Sequence, residues 1–160
     1  YLLFIDADIT LPKPDEFMTS LITKFELNPK LVGLAVGLRV LPQYETPADR
    51  AVFNFMNYFS YLLNVFRIGG AAGEFQLIRA DTFRQSGGYN QNFSTGEDYE
   101  FFRRLQKFGY TRLVLGTLAY HTGRRAHKIG WPKLIWQWTM NFIWITLFKR
   151  SRTNEWKIIR

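Results

Sequence analysis

Apolar runs broken by proline, glycine and acidic residues divide the chain. Residues 1–5 (YLLFI) are apolar throughout and stop at Asp6, the pattern of an interior strand buried on both faces. Pro12 and Pro14 break the chain, and a helix is predicted from about residue 14 to 27. It has proline in its first turn, with Asp15 and Glu16 at the positive end of its dipole. Residues 31–40, rich in Leu and Val and bounded by Pro29 and Pro42, read as a second strand. A loop over 42–47 leads into a helical pattern over 48–66. There Asn57, Ser60 and Asn64 share one face, with Asn54 at its margin, while the other faces carry Phe, Tyr, Leu and Val. Such a helix is either packed in the core or laid on something apolar.

The second half is punctuated by glycine. Residues 69–73 (GGAAG) form a flexible turn that lets backbone approach a ligand closely. Residues 74–79 are a strand candidate, and 80–86 a short helix stopped by Gly87 and Gly88. After a loop over 89–96 comes the clearest helix, 97–108, with acids in its first turn and Arg103, Arg104 and Lys107 towards its end. Residues 111–115 and 118–121 are predicted as two short strands, 122–130 as a basic loop and 131–150 as a long amphipathic aromatic helix. Strands alternating with helices indicate an α/β fold.

Composition narrows the classes. At 160 residues, one domain is the natural count, and without cysteine there is no disulfide framework and no Cys-ligated metal. The net charge of +8 lies in the tail: residues 1–120 hold 12 basic and 12 acidic residues, whereas 121–160 hold 9 basic residues and the single acid Glu155. All five tryptophans fall in the same tail, so that end is expected to meet an anionic partner. The charge-free stretches 51–66 and 134–148 fall short of the roughly 18–20 residues of a spanning helix.

Three features could carry chemistry. Asp6 and Asp8 follow the first strand at i and i+2, so in extended chain both carboxylates point the same way and can share a hard cation such as Mg²⁺ or Mn²⁺. The bland alternative is a solvated loop with two acids. Glu97 and Asp98 open a helix, where acids stabilise the dipole by about 0.3–1 kcal/mol with no catalytic role. Glycines on either side indicate an open cleft instead. His121 ends a short apolar strand ahead of Arg124 and Arg125, which suits a metal-and-phosphate site.

In this order these parts resemble the family 2 glycosyltransferases of GT-A fold. The resemblance rests on FIDADITLPKP (4–14), on GAAGEFQLIRADTFRQSGGYNQNFSTGEDYEFFRRLQKFGY (70–110) and on AYHTGRR (119–125), covering most of residues 1–125. It implies a partial GT-A-like, Rossmann-related mixed sheet flanked by helices, followed by a basic, Trp-rich segment over 126–160. The activity it implies is inverting transfer from a nucleotide-sugar donor to a glycan or lipid-linked acceptor. Asp6 and Asp8 would hold a Mg²⁺ or Mn²⁺ bridging the diphosphate, with Asp8 favoured as direct ligand. Asp98 would be the catalytic base and Glu97 would help position the acceptor. His121 would complete the metal site or touch the diphosphate beside Arg124 and Arg125. Gly70, Gly73, Glu74 and Gly88 would form the acceptor-side wall. The family's nucleotide-base half, which should precede Asp6, and the Gln-x-x-Arg-Trp signature of processive synthases are both missing here. The expectation is therefore a C-terminal piece of an enzyme transferring one or a few sugars, at the cytoplasmic face of a membrane.

Two other readings compete. LLFIDADITL (2–11) also fits the opening of haloacid-dehalogenase-type phosphatases, with Asp6 as nucleophile and Asp8 as acid/base. Alternatively, the tail could serve a non-catalytic module. Its aromatics lie in one apolar run, not interleaved with Lys and Arg, which fits an anionic membrane surface better than nucleic acid; burial against the missing half or another subunit stands equally beside the membrane reading.

Overall fold

In the computed structural model, which describes residues 1–148, the chain is α/β, with four strands in one mixed sheet and six helices. Strand β1 (Leu2–Ile5) is followed by α1 (Pro14–Glu26), β2 (Leu31–Val40), α2 (Pro47–Val65), β3 (Phe75–Ile78), α3 (Ala80–Gln85), α4 (Glu97–Leu105), β4 (Tyr110–His121), α5 (Arg124–Ile129) and α6 (Trp131–Phe148). Residues 149 and 150 of the expected last helix, and the tail after them, lie outside the described residues.

The sheet order is β1-β3-β2-β4, with β3 antiparallel to both neighbours and β2 parallel to β4. Strands β1, β2 and β4 therefore all point one way. β2 is buried along nearly its whole length, as its unbroken apolar run predicts. It contributes to two cores. Leu34, Val36 and Leu38 pack with Phe17, Leu21 and Phe25 of α1, and Val32 and Ala35 pack with Phe101, Phe102 and Leu105 of α4.

Two local expectations are corrected. The two short strands over 111–121 are one strand with an irregularity: Val36 pairs with Val114 but Gly37 pairs with Leu118, and Gly116 takes φ +87°. The extra residues bulge out where glycine alone adopts that backbone freely. Residues 124–129 form a helix and not a loop, entered through Gly123 at φ 69°.

Helix α2 is turned inside out. Its buried positions are Asp49, Phe53, Asn57 and Asn64, while Phe55, Tyr58 and Val65 face outwards. The cause is in the sheet. β2 pairs with β3 only over Gly33–Ala35, so its later backbone has no strand on that side. Asn57 fills the gap: its Oδ1 accepts from Leu38 N at 2.9 Å and its Nδ2 donates to Leu38 O at 3.0 Å. Asn64 Nδ2 donates to Gly70 O at 2.6 Å, and its Oδ1 accepts from the Thr111 hydroxyl. The polar stripe is thus a structural one that satisfies buried backbone.

Helix α6 lacks the polar face expected of it. Leu134 and Ile145 are buried, yet Ile135, Trp136, Ile143 and Leu147 are exposed, and Lys133 is its only charged residue. Among the described residues, no helix is long and apolar enough to cross a membrane.

Asn57→Ala leaves an N–H and a C=O of Leu38 buried without partners. It should lower unfolding free energy by about 2 kcal/mol or more in urea titrations; a loss below about 0.5 kcal/mol would show that β2 does not depend on it.

Candidate active site

Because β1, β2 and β4 run together, their C-terminal ends form one rim with the start of β3, where open α/β sheets commonly bind ligands. Asp6 leaves β1 on this rim, Glu74 enters β3, and His121 ends β4. Asp6 N donates to Glu74 O at 3.2 Å, extending the β1–β3 ladder by one step. The loop after Asp6 turns through Ile9 N to Asp6 O at 3.1 Å. It is then stitched to β4, with Thr10 N donating to Tyr120 O at 2.7 Å and Tyr120 N to Thr10 O at 2.9 Å. That stitch sets Asp8 beside the end of β4. Asp8 Oδ2 accepts from Thr122 Oγ1 at 3.1 Å and from Arg124 Nη2 at 3.0 Å.

Asp98 reaches the same rim from α4. A Cβ on Gly73 would lie 3.2 Å from Asp98 Oδ2, so a larger residue there would push the Asp98 carboxylate by a few tenths of an ångström. Gly73 and Tyr99 backbone N–H groups both donate to the Asp98 carboxylate, Tyr99 N at 2.7 Å. Glu74, one residue on, lies within the electrostatic field of Asp98, Asp6 and Asp8 together. Acids far apart in the chain therefore converge at one place.

Their titration reflects crowding. Burial first, then the neighbouring Asp98, Asp6 and Asp8 charges, raises Glu74 to about 7. Burial and the Glu97 charge raise Asp98 to about 6, against the pull of backbone N–H groups of Tyr99, Gly73 and Asp98 itself. Burial and Asp8 raise Asp6. Asp8 alone ends below its ordinary value, because the hydrogen bonds from Arg124 and Thr122 outweigh its burial. Tyr89, near Asp98 and Glu97, is pushed up by burial and their charges, and its hydroxyl donates to the buried Gln76 Oε1 at 2.5 Å.

His121 sits behind Asp8, edge-on to Phe53 at 4.8 Å between ring centres. Burial lowers its pKa, opposed by the Asp8 and Asp49 charges. Gly123 N donates to its Nδ1 at 3.2 Å, so the neutral ring carries its proton on Nε2. That Nε2, like Glu97 Oε2 across the rim, is buried with no hydrogen-bond partner. In this arrangement His121 can donate to an anionic oxygen; binding a metal through Nε2 would require the other tautomer. Among the described residues, no group of three or more His, Asp or Glu side chains is gathered as a metal shell. Mg²⁺ needs no such shell: one or two carboxylates suffice, with substrate phosphates and water completing it. The extended chain expected over residues 6–8 is instead a turn closed by Ile9 N on Asp6 O, so residue spacing does not align the two carboxylates; Asp6 and Asp8 remain close enough for the Asp8 charge to raise Asp6.

The remaining expected residues are dispersed. Gly70 packs under Tyr99, whose ring a Cβ would meet at 3.0 Å. Gly88 lines an open polar groove of about 420 Å³ with Gly87, Tyr89, Asn90, Gln91 and Arg104, and Arg104 donates to its carbonyl at 2.7 Å. Arg124 is a cation placed on Asp8. Sequence reading missed Asp49. Fully buried, it caps α2 through Thr46, lies 2.8 Å from His127 Nε2 and accepts from Trp131 Nε1 at 2.8 Å. Those donors outweigh its burial and hold it at about 2. The only signal was Thr46, Pro47 and Asp49 at helix-start spacing. Compared with known proteins, the chain matches no family model and no curated protein.

A carboxyl raised by folding keeps its proton to higher pH than in the unfolded chain. Its contribution is fully present below about 4.5 and is lost as pH rises through about 7 for Glu74. Thermal melts in chelator should show stability falling across that window, and Glu74→Gln should remove most of the fall. An unchanged slope would mean that Glu74 lies outside the cluster.

Proposed function

We propose that this chain forms part of a GT-A-like domain that transfers a sugar, with inversion, from a nucleotide-sugar to an acceptor hydroxyl. What supports this most is the convergence of Asp6, Asp8, Glu74 and Asp98 on one rim, with a cation and a histidine on the same side. An acidic end facing a basic end is what the reaction requires: charge stabilisation at the leaving diphosphate and proton removal at the attacking hydroxyl.

In this reading Asp6 and Asp8 would hold Mg²⁺ or Mn²⁺. The ion, when bound, supplies Lewis-acid stabilisation of the departing diphosphate. Arg124, at the start of α5 and 57% exposed, moves from Asp8 to a phosphate oxygen. His121 donates from Nε2 to another. On the opposite side, Asp98 takes the acceptor proton as the hydroxyl attacks. A carboxylate near 6 is mostly ionised at neutral pH yet still basic enough to accept that proton. Its lone pair is aimed by the Gly73 and Tyr99 N–H groups, and Glu97, with its free Oε2, hydrogen-bonds the acceptor. Attack from the face opposite the diphosphate inverts the anomeric centre. The acceptor is a glycan or lipid-linked glycan, and the location that goes with it is the cytoplasmic face of a membrane.

In a protein containing this domain together with its nucleotide-base half, Asp98→Asn should cut transfer by about 10²–10⁴-fold. Sugar-nucleotide affinity, measured by calorimetry, should change little. Retained turnover would remove Asp98 from the role of base.

A further inference from the structure

The inverted helix and the apolar helix beside it form one surface. On α2, Phe55 (67% exposed) stacks on Phe59 at 6.1 Å between ring centres. Phe59 meets Phe142 of α6 at 6.2 Å, and Phe142 meets Tyr99 of α4 at 4.9 Å. The rings thus run without a break from open solvent to the residue next to Asp98. Along α6, Trp136 (60%) and Leu147 (68%) extend the exposed apolar face. Ile145, on the other side of the same helix, presses on Gly96, the residue that starts α4: a Cβ there would lie 2.2 Å from Ile145 Cδ1. Helix α6 therefore has one side on the candidate site's rim and another side bare.

Charge says what covers the bare side. Residues 121–160 carry 9 Lys and Arg against one acid, and in that stretch the cations flank the helix: Arg124, Arg125, Lys128 and Lys133 before or at its start, and Lys149 and Arg150 directly after Phe148. Apolar aromatics bracketed by cations match the boundary between acyl chains and anionic headgroups. At 18 residues, α6 is about 27 Å long, under the roughly 30 Å hydrocarbon core, and it is pinned to the body by buried Leu134 and Ile145. Among the described residues it is not long and apolar enough to cross a membrane, and its geometry suits lying in the interface.

We propose that the joint α2–α6 face docks flat on an anionic lipid surface, so that the rim carrying Asp98 opens next to the headgroups. This rests on the membrane location proposed above, not on the transfer chemistry. An acceptor anchored in the bilayer then reaches Asp98 along the Phe55–Phe59–Phe142–Tyr99 ring path without leaving the surface.

Flotation of the full chain with phosphatidylcholine vesicles, with and without phosphatidylglycerol, tests it. The chain should float with the anionic vesicles, weakly or not at all with neutral ones, and less in high salt. Phe55→Ser with Trp136→Ser, both exposed positions, should weaken partition by about tenfold or more while leaving the thermal melt unchanged. Asp98→Asn should float like the parent chain. No flotation, equal flotation with neutral vesicles, or a double variant that floats undiminished would overturn the docking. So would a dimer in solution that the double variant dissociates, since a second copy would then own the face. Flotation without transfer would retire the chemistry alone; transfer without flotation would retire the docking alone.

Discussion

Like charges in a partly buried place repel, and the rim of this sheet crowds Asp6, Asp8, Glu74 and Asp98 into one such place. The fold tolerates this in two ways. One carboxylate is neutralised by Arg124, and two others are shifted towards neutrality, Glu74 to about 7 and Asp98 to about 6. Neither device belongs to the apolar clusters that hold the α/β core, which are built from Leu, Val, Ile, Ala and aromatic side chains. Crowding of this kind costs stability and is characteristic of sites that meet a cation or move a proton. Gly73 lies close against Asp98, the Thr10–Tyr120 bridge holds the Asp8 loop on β4, and the left-handed Gly96 starts the helix that carries Asp98.

A second set of contacts ties the tail to this rim. Phe53 stands edge-on to both His121, at 4.8 Å, and Trp131, at 5.5 Å. Trp131 and His127 in turn both reach Asp49. The start of α6 is thus fastened behind the histidine, and its far end rests on Gly96 before the Glu97–Asp98 pair. One helix therefore touches both sides of the candidate site. Disturbing α6 at either end would be felt at residues that are distant from it in sequence.

Much of the architecture was legible because its periodicity was strong. The unbroken apolar run of β2, the proline-started α1 and the acid-to-base gradient of α4 sit within a few residues of their expected ends. The break at Gly116 was read as a gap between strands because a bulge and a turn share the same glycine signal. The α5 residues looked like a loop because six residues give no helical repeat to read. For α2, the polar stripe was seen but its direction was not. Local sequence cannot say that β3 stops pairing with β2 after Ala35 and leaves Leu38 to be satisfied by Asn57. The acids were individually visible, whereas their meeting was not, since it depends on β3 running against its neighbours. Asp49 was silent because a buried carboxylate and a solvated helix cap are spelled alike.

The convergence of the acids is open to direct measurement. Side-chain carboxyl NMR can follow the titration of Glu74 in the parent chain and in Asp98→Asn. A shared field predicts a Glu74 midpoint near 7 that moves down when the Asp98 charge is removed, while staying above 4.5 because burial is the larger cause. A Glu74 that titrates near 4.5 and ignores Asp98 would place the two acids in separate surroundings and contradict the site.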